Sequence, residues 1–344
     1  MVTERGLQVL RAIVEDFVET NEPVGSKSIV ERHAFGVSAA TIRNDMAQLE
    51  DEELIAAPHT SSGRVPTDKG YRVFVDHLAQ LRPLSTAQRS AITAFLTDPA
   101  DLDDLMVRTV RVLTRLTGQV ALAQYPSFAR AHVTHVELVA LAPNRLLAVL
   151  VTDAGGVSQR LIPLPLDLGE AELAALRARM TVLLVGRSVR RGLERIDELQ
   201  DAPEGTALAL AQTCACRAIK EELEEFRQER LVMAGAATLA RREHDFRGSI
   251  HPLLEAIEEQ VTLLRLMSEM VTDEQGLAAS IGAENEAFGI PEASIVASNY
   301  VTPSGTARVG VMGPTRMDYP SNLAAARAVA RYLSRLLDED EAGR

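Results

Sequence analysis

Ala40, Arg43, Asn44 and Ala47 carry side-chain types that could do specific chemistry if they shared a surface. At about 100° of rotation per residue they fall on one side of a helix, opposite a stripe of Ile42, Met46 and Leu49. An arginine can pair bidentately with guanine, an asparagine with adenine, and an alanine methyl can meet the thymine methyl. Ser38 is a good N-cap for this helix, and Val37 before it can pack on Ile42 as a hydrophobic staple. Ser38, Ala40, Thr41, Arg43 and Asn44 are therefore candidate contacts to DNA. A solvated helix face with a routine cap would show the same residues.

Other elements must hold that face. Leu7, Leu10, Val14, Phe17 and Val18 recur at helical spacing through residues 4–20, and Asn21-Glu22-Pro23 stops the helix. A short helix over 26–32 ends at Phe35-Gly36, so the spacing predicts a helix-turn-helix whose second helix begins after Ser38. The run from Ala56 to Pro66 has Gly63 at a tight-turn position and prolines near both margins, and it reads as a small hairpin, or wing. Thr67 then caps a helix with Tyr71, Phe74, Val75, Leu78 and Leu81 on its apolar side. Arg64, Thr67, Lys69 and Arg72 gather around the hairpin and this helix start, where phosphate contacts would fix register without reading sequence.

Charge limits how such a surface could work. The chain has 344 residues and formal net charge −12, and residues 1–82 hold nine Lys/Arg against thirteen Asp/Glu. No broad basic field draws nucleic acid, so any DNA contact rests on a few placed cations. The length predicts two or three domains. Two cysteines, Cys214 and Cys216, are too few for a disulfide framework or a structural zinc site. Apolar stretches such as 146–151 fall well short of the roughly 20 residues that span a bilayer. The acidic, amphipathic start lacks the pattern of a signal peptide, and a cytoplasmic protein is expected. The seven histidines are scattered and no phosphate-cradling glycine loop occurs, so no enzyme activity, metal or cofactor is expected.

Beyond Pro83, Ser85 and Asp101 open two connector helices over 83–118. Runs over 133–141, 145–152 and 157–164 read as strands, followed by helices over 170–184 and 188–199. Two more strands over 294–301 and 307–312 and a closing helix over 321–338 complete an α+β pattern. Strands on both sides of a charged helical middle suggest one sheet interrupted by an insertion.

Three segments go beyond periodicity: Ala40-Thr41-Ile42-Arg43-Asn44-Asp45-Met46, Ser61-Ser62-Gly63-Arg64-Val65-Pro66-Thr67-Asp68-Lys69-Gly70-Tyr71-Arg72, and Gly313-Pro314-Thr315-Arg316-Met317-Asp318-Tyr319. With them the chain resembles the HrcA family of heat-inducible transcription repressors over nearly its whole length, most weakly between residues 185 and 247. The resemblance implies a winged-helix domain (1–82), connector helices (83–118), and a GAF-like domain (119–185 and 246–344) split by an inserted dimerisation domain (186–245). It makes Leu223, Phe226, Leu231 and Val232 candidates for an apolar dimer seam, although each also fits a local core. It further implies a homodimer that binds double-stranded DNA at the CIRCE inverted repeat, with chaperonin GroEL promoting the active form. In the third segment, Arg316 and Tyr319 are candidates for meeting a partner or small ligand, beside a purely structural reading in which Arg316 pairs with an acid. A metabolite-responsive repressor with a ligand in the GAF-like domain is the alternative, and an enzyme merely docked by its N-terminal domain is a further one.

Overall fold

The computed structural model describes residues 2–59, 62–78, 83–126, 131–153, 156–199, 206–227, 230–246, 248, 250–302 and 305–342, without the side chains of 226, 227, 243 and 339–342. The chain divides into two compact units: 1–124 with 231–299 and 308–332, and 125–230 with 300–307 and 333–344.

The first unit opens with α1 (Glu4–Thr20), α2 (Ser26–Arg32) and α3 (Ala39–Asp51), then β1 (Ile55–Ala56), β2 (Val65–Pro66) and α4 (Asp68–Asp76). These are the elements the spacing predicts, except that α4 ends at Asp76, short of Leu78, and Leu81 lies outside the described residues. α1 is capped by Thr3, whose side chain accepts from the Gly6 amide, and closes on Asn21 in the left-handed conformation. β1 and β2 pair antiparallel, Ile55 opposite Pro66 and Ala56 opposite Val65. Two glycines of the second motif are needed for close approach. A Cβ on Gly63 would lie 2.6 Å from the Pro23 carbonyl, and one on Gly70 would lie 2.0 Å from the Leu54 carbonyl oxygen.

α5 (Thr86–Leu96) and α6 (Leu102–Thr117) follow, then β3 (Val120–Gln124), a strand not expected from sequence. The chain leaves the sheet after β3 to build the second unit. There β4 (Val133–Ala142), β5 (Arg145–Thr152) and β6 (Val157–Pro163) form their own antiparallel sheet, and α7 (Glu170–Leu184), α8 (Val189–Glu198) and α9 (Ala207–Arg227) follow. The expectation of one sheet containing these three strands and the C-terminal ones is corrected here. The excursion spans 125–230, not only 186–245, because β4 to β6 pair with one another and with no strand of the five-stranded sheet.

The chain re-enters the first unit at β7 (Leu231–Ala234), which pairs antiparallel with β3, Ala121 opposite Ala234. α10 (Ala236–Arg241), α11 (His251–Glu259), α12 (Val261–Glu269), β8 (Leu277–Ile281), β9 (Ala293–Thr302), β10 (Gly305–Pro314) and α13 (Tyr319–Ala342) follow, with 300–307 and the part of α13 from 333 onward falling in the second unit. The sheet order is β7-β3-β10-β9-β8. Leu122, Ile295 and Met312 of the sheet share a core with Leu253, Leu263, Leu266 and Met267 of α11 and α12. No helix among the described residues is long and apolar enough to cross a membrane.

Candidate nucleic-acid interface

α3 is built as its sequence dictates. The Ser38 hydroxyl accepts from the Thr41 amide at 3.2 Å and lies 3.1 Å from the Thr41 hydroxyl. Ile42, Met46 and Leu49 are buried, while Ala40, Arg43 and Asn44 are exposed on the other side. Asp45 is also buried, and sequence reading missed it. Its carboxylate receives two hydrogen bonds from Arg5 of α1, from Nε at 2.7 Å and Nη2 at 2.9 Å. This bidentate pair fixes the rotation of α3 about its axis, and hence the direction in which Arg43 and Asn44 point. The signal was present: an acid on an otherwise apolar stripe needs a cationic partner.

The wing is seated by its backbone. Val24 and Arg64 exchange both main-chain hydrogen bonds, at 2.9 and 2.8 Å, tying the loop before α2 to β2. Thr67 caps α4 by accepting from the Gly70 amide, and its hydroxyl donates to the Glu53 carbonyl at 2.6 Å.

The three expected phosphate-binding cations differ in how free they are. Arg64 donates through Nε to Glu50 at 2.9 Å, and Lys69 donates to the Glu52 carbonyl at 2.8 Å while remaining largely exposed. Arg72 is the most engaged of the three: it forms a close ion pair with Glu284 and donates through Nη2 to the Ala279 carbonyl at 2.7 Å. Burial disfavours its charge, but Glu284 and Asp76 outweigh that and raise its pKa. Its neighbour Asp68 accepts from the Ala283 amide at 2.9 Å. α4 is thus anchored to the turn after β8, and the carboxylate that claims Arg72 lies 212 residues away in sequence. Arg43 has no ion pair among the described residues.

The candidate dimer residues fall elsewhere. Leu223 is fully buried within the chain, and Leu231 is buried in β7, with Val232 half-buried beside it. The Phe226 side chain lies outside the described residues. Leu223 and Leu231 are thus already covered within one chain. Cys216 is buried too, which pushes its thiol up to about 11. In the second unit, apolar surface lies instead on one face of the β4–β6 sheet: Val139, Leu147 and Leu161 stand in one cross-strand row, with Val139 and Leu161 38% and 56% exposed.

Of the third motif, Arg316 donates to the Val18 carbonyl of α1 at 3.0 Å and pairs with Asp245. Tyr319 has no surface to offer a ligand. It is fully buried, its ring 5.6 Å from that of Tyr71, and its hydroxyl bonds with Ser294 and donates to the Thr315 carbonyl at 2.8 Å. Burial holds its pKa well above the usual tyrosine range. No group of three or more metal-binding side chains occurs among the described residues.

A capped helix with an exposed arginine and asparagine, carried on a small helical bundle beside a two-stranded sheet, fits the class of transcription regulators. Similarity to known proteins narrows this. The family described as HrcA protein C terminal domain matches residues 103–322. The chain is 60% identical to the heat-inducible transcription repressor HrcA of Clavibacter michiganensis subsp. michiganensis, over 98% of this chain and all of that one. It is 58% identical to the protein of that name from Leifsonia xyli subsp. xyli, with the same coverage. A crystal structure described as a hypothetical protein matches with TM-score 0.66 at 25% identity, covering 98% of this chain and 99% of that one. The chain belongs to the HrcA family of transcription repressors.

Proposed function

We propose that this protein represses heat-shock chaperone genes by binding the CIRCE inverted repeat as a homodimer, with chaperonin GroEL promoting the DNA-binding form. The observation that carries the reading is the α3 face, with Ala40, Arg43 and Asn44 exposed and their direction fixed by the Arg5–Asp45 pair. In this reading α1 to α4 with β1 and β2 are a winged helix, and α3 enters the major groove. Arg64 and Lys69 contact phosphate, exchanging their internal acceptors for DNA oxygens. Arg72 supports the fold instead.

An inverted repeat calls for two-fold symmetry, and one winged helix reads one half-site. The exposed apolar row Val139, Leu147 and Leu161 supports a role for the β4–β6 sheet in pairing two copies. The five-stranded sheet with its helices is the GAF-like domain in this reading, and 125–230 is the dimerising insertion. The chaperonin step rests on family resemblance: unfolded clients formed under heat compete for GroEL, active repressor falls, and transcription rises.

The test is binding of the full chain to an inverted-repeat duplex, with and without chaperonin. Specific binding that rises when chaperonin is added supports the reading. A fully competent preparation indifferent to chaperonin removes that step, and equal binding to random duplex removes operator recognition.

A further inference from the structure

A cleft of about 360 Å³ opens in the first unit at the start of α13, walled by the third motif, the α6–β3 turn and the residues after α10. Its size is at the lower end of the range that holds small molecules. Gly313 keeps the wall close, since a Cβ there would lie 2.2 Å from Gln119 Oε1.

The polar groups in this wall do not balance. Asp245 is spent on Arg316 and His244, and Asp318 accepts from the Ser321 amide at 3.1 Å as it caps α13. Arg242 lies with Nη2 3.4 Å from where a Cβ on Gly118 would be, and it has no ion pair among the described residues. Two buried N–H donors also lack a protein partner: Arg316 Nε and Asn322 Nδ2. Asn322 is only 3% exposed, in the first turn of α13. Leaving a buried donor unpaired is costly, and two in the same wall mark a place where an acceptor is missing.

We propose that this cleft binds a small carboxylate metabolite, with Arg242 supplying the countercharge and Arg316 Nε and Asn322 Nδ2 donating to the carboxylate oxygens. Arg242 has no ion-pair partner among the described residues, and planar donors suit the two coplanar oxygens of a carboxylate better than the tetrahedral oxygens of a phosphate. Both donors are sealed from solvent, so binding requires the cleft wall at Asn322 and Arg316 to give way, a cost offset by pairing the two donors. The same Arg316 guanidinium holds the last turn of α1 through the Val18 carbonyl. Occupancy therefore acts on the helix that Arg5 links to α3, and a carboxylate preferring one seating of α1 would shift the DNA-competent population.

The test is calorimetric titration of the full chain with lactate, succinate and 2-oxoglutarate, with inorganic phosphate as the contrasting anion, read without DNA so that it is independent of operator recognition. The expected result is saturable binding of at least one carboxylate with a Kd of about 1 mM or tighter. Arg242→Gln, a change at the cleft rim whose folding is verified by circular dichroism, should weaken it about tenfold, the usual effect of losing a charge-assisted contact. Arg242→Lys should retain most of it. Absence of saturable binding by all three carboxylates, tighter binding of phosphate, or full affinity in Arg242→Gln would each overturn the proposal.

Discussion

Arg5 reaches from the first turn of α1 across 40 residues of sequence to grip Asp45 on the buried side of α3, with two hydrogen bonds of 2.7 and 2.9 Å. Arg43 and Asn44 immediately precede that carboxylate, so a contact inside the bundle sets the aim of the side chains outside it. Asp45→Ala should cost about 1–2 kcal/mol of stability, reduced from the full value of a charged hydrogen bond because Arg5 is half-exposed. Operator affinity should fall by more than the fraction unfolded explains. Chemical denaturation beside DNA titration of the same variant checks this, and an unchanged affinity per folded molecule would deny Asp45 an orienting role.

Arg43→Ala and Asn44→Ala should each lose roughly 1–3 kcal/mol on the operator and relax base preference at one position per half-site. Both side chains are exposed and neither packs in the core, so melting temperature should hardly move. Equal losses on operator and random duplex would show that they do not read bases.

The wing cations carry a different signature. Lys69→Gln and Arg64→Gln should weaken binding to every sequence and reduce the salt slope by about one unit each. Glu50→Gln, which releases Arg64 from its partner, should strengthen binding to random duplex. Arg72→Gln should instead lower stability and leave the slope unchanged, because its partners are Glu284 and Ala279. A slope reduced by Arg72→Gln would place this residue back on the DNA.

The elements around α3 were legible because their signals are local. Ser38, the Ile42, Met46 and Leu49 stripe, and the Gly63 turn each fix a boundary within a few residues. Gly70 shows how a local motif encodes a tertiary contact, since a methyl there would meet the Leu54 carbonyl at 2.0 Å. Gly70→Ala should therefore cost about 1–3 kcal/mol, measurable as a lowered thermal midpoint.

What was not legible is long-range. β3 is five residues buried on both faces, so it shows no alternation to mark it as a strand. Its partner β7 begins more than a hundred residues later, and no local pattern announces that Ala121 faces Ala234. Leu231 and Val232 were candidates for a subunit seam for the same reason: apolar type predicts burial but not what does the burying. Arg72 is the polar counterpart, a cation beside the wing whose partner no spacing rule could name.

Dimerisation is tested by Leu161→Glu, which places a charge in the exposed apolar row without disturbing a buried side chain. Sedimentation should show a shift toward monomer at micromolar concentration, with secondary structure unchanged. Persistence of a dimer in the variant would move the proposed interface off this sheet.

The most direct measurement of the central claim is fluorescence anisotropy titration of the full chain on an inverted-repeat duplex and on a scrambled duplex of the same composition, at one fixed salt concentration. The expected result is at least about a thousandfold preference for the inverted repeat, with two protomers bound per duplex. Equal affinity for the two duplexes would contradict it.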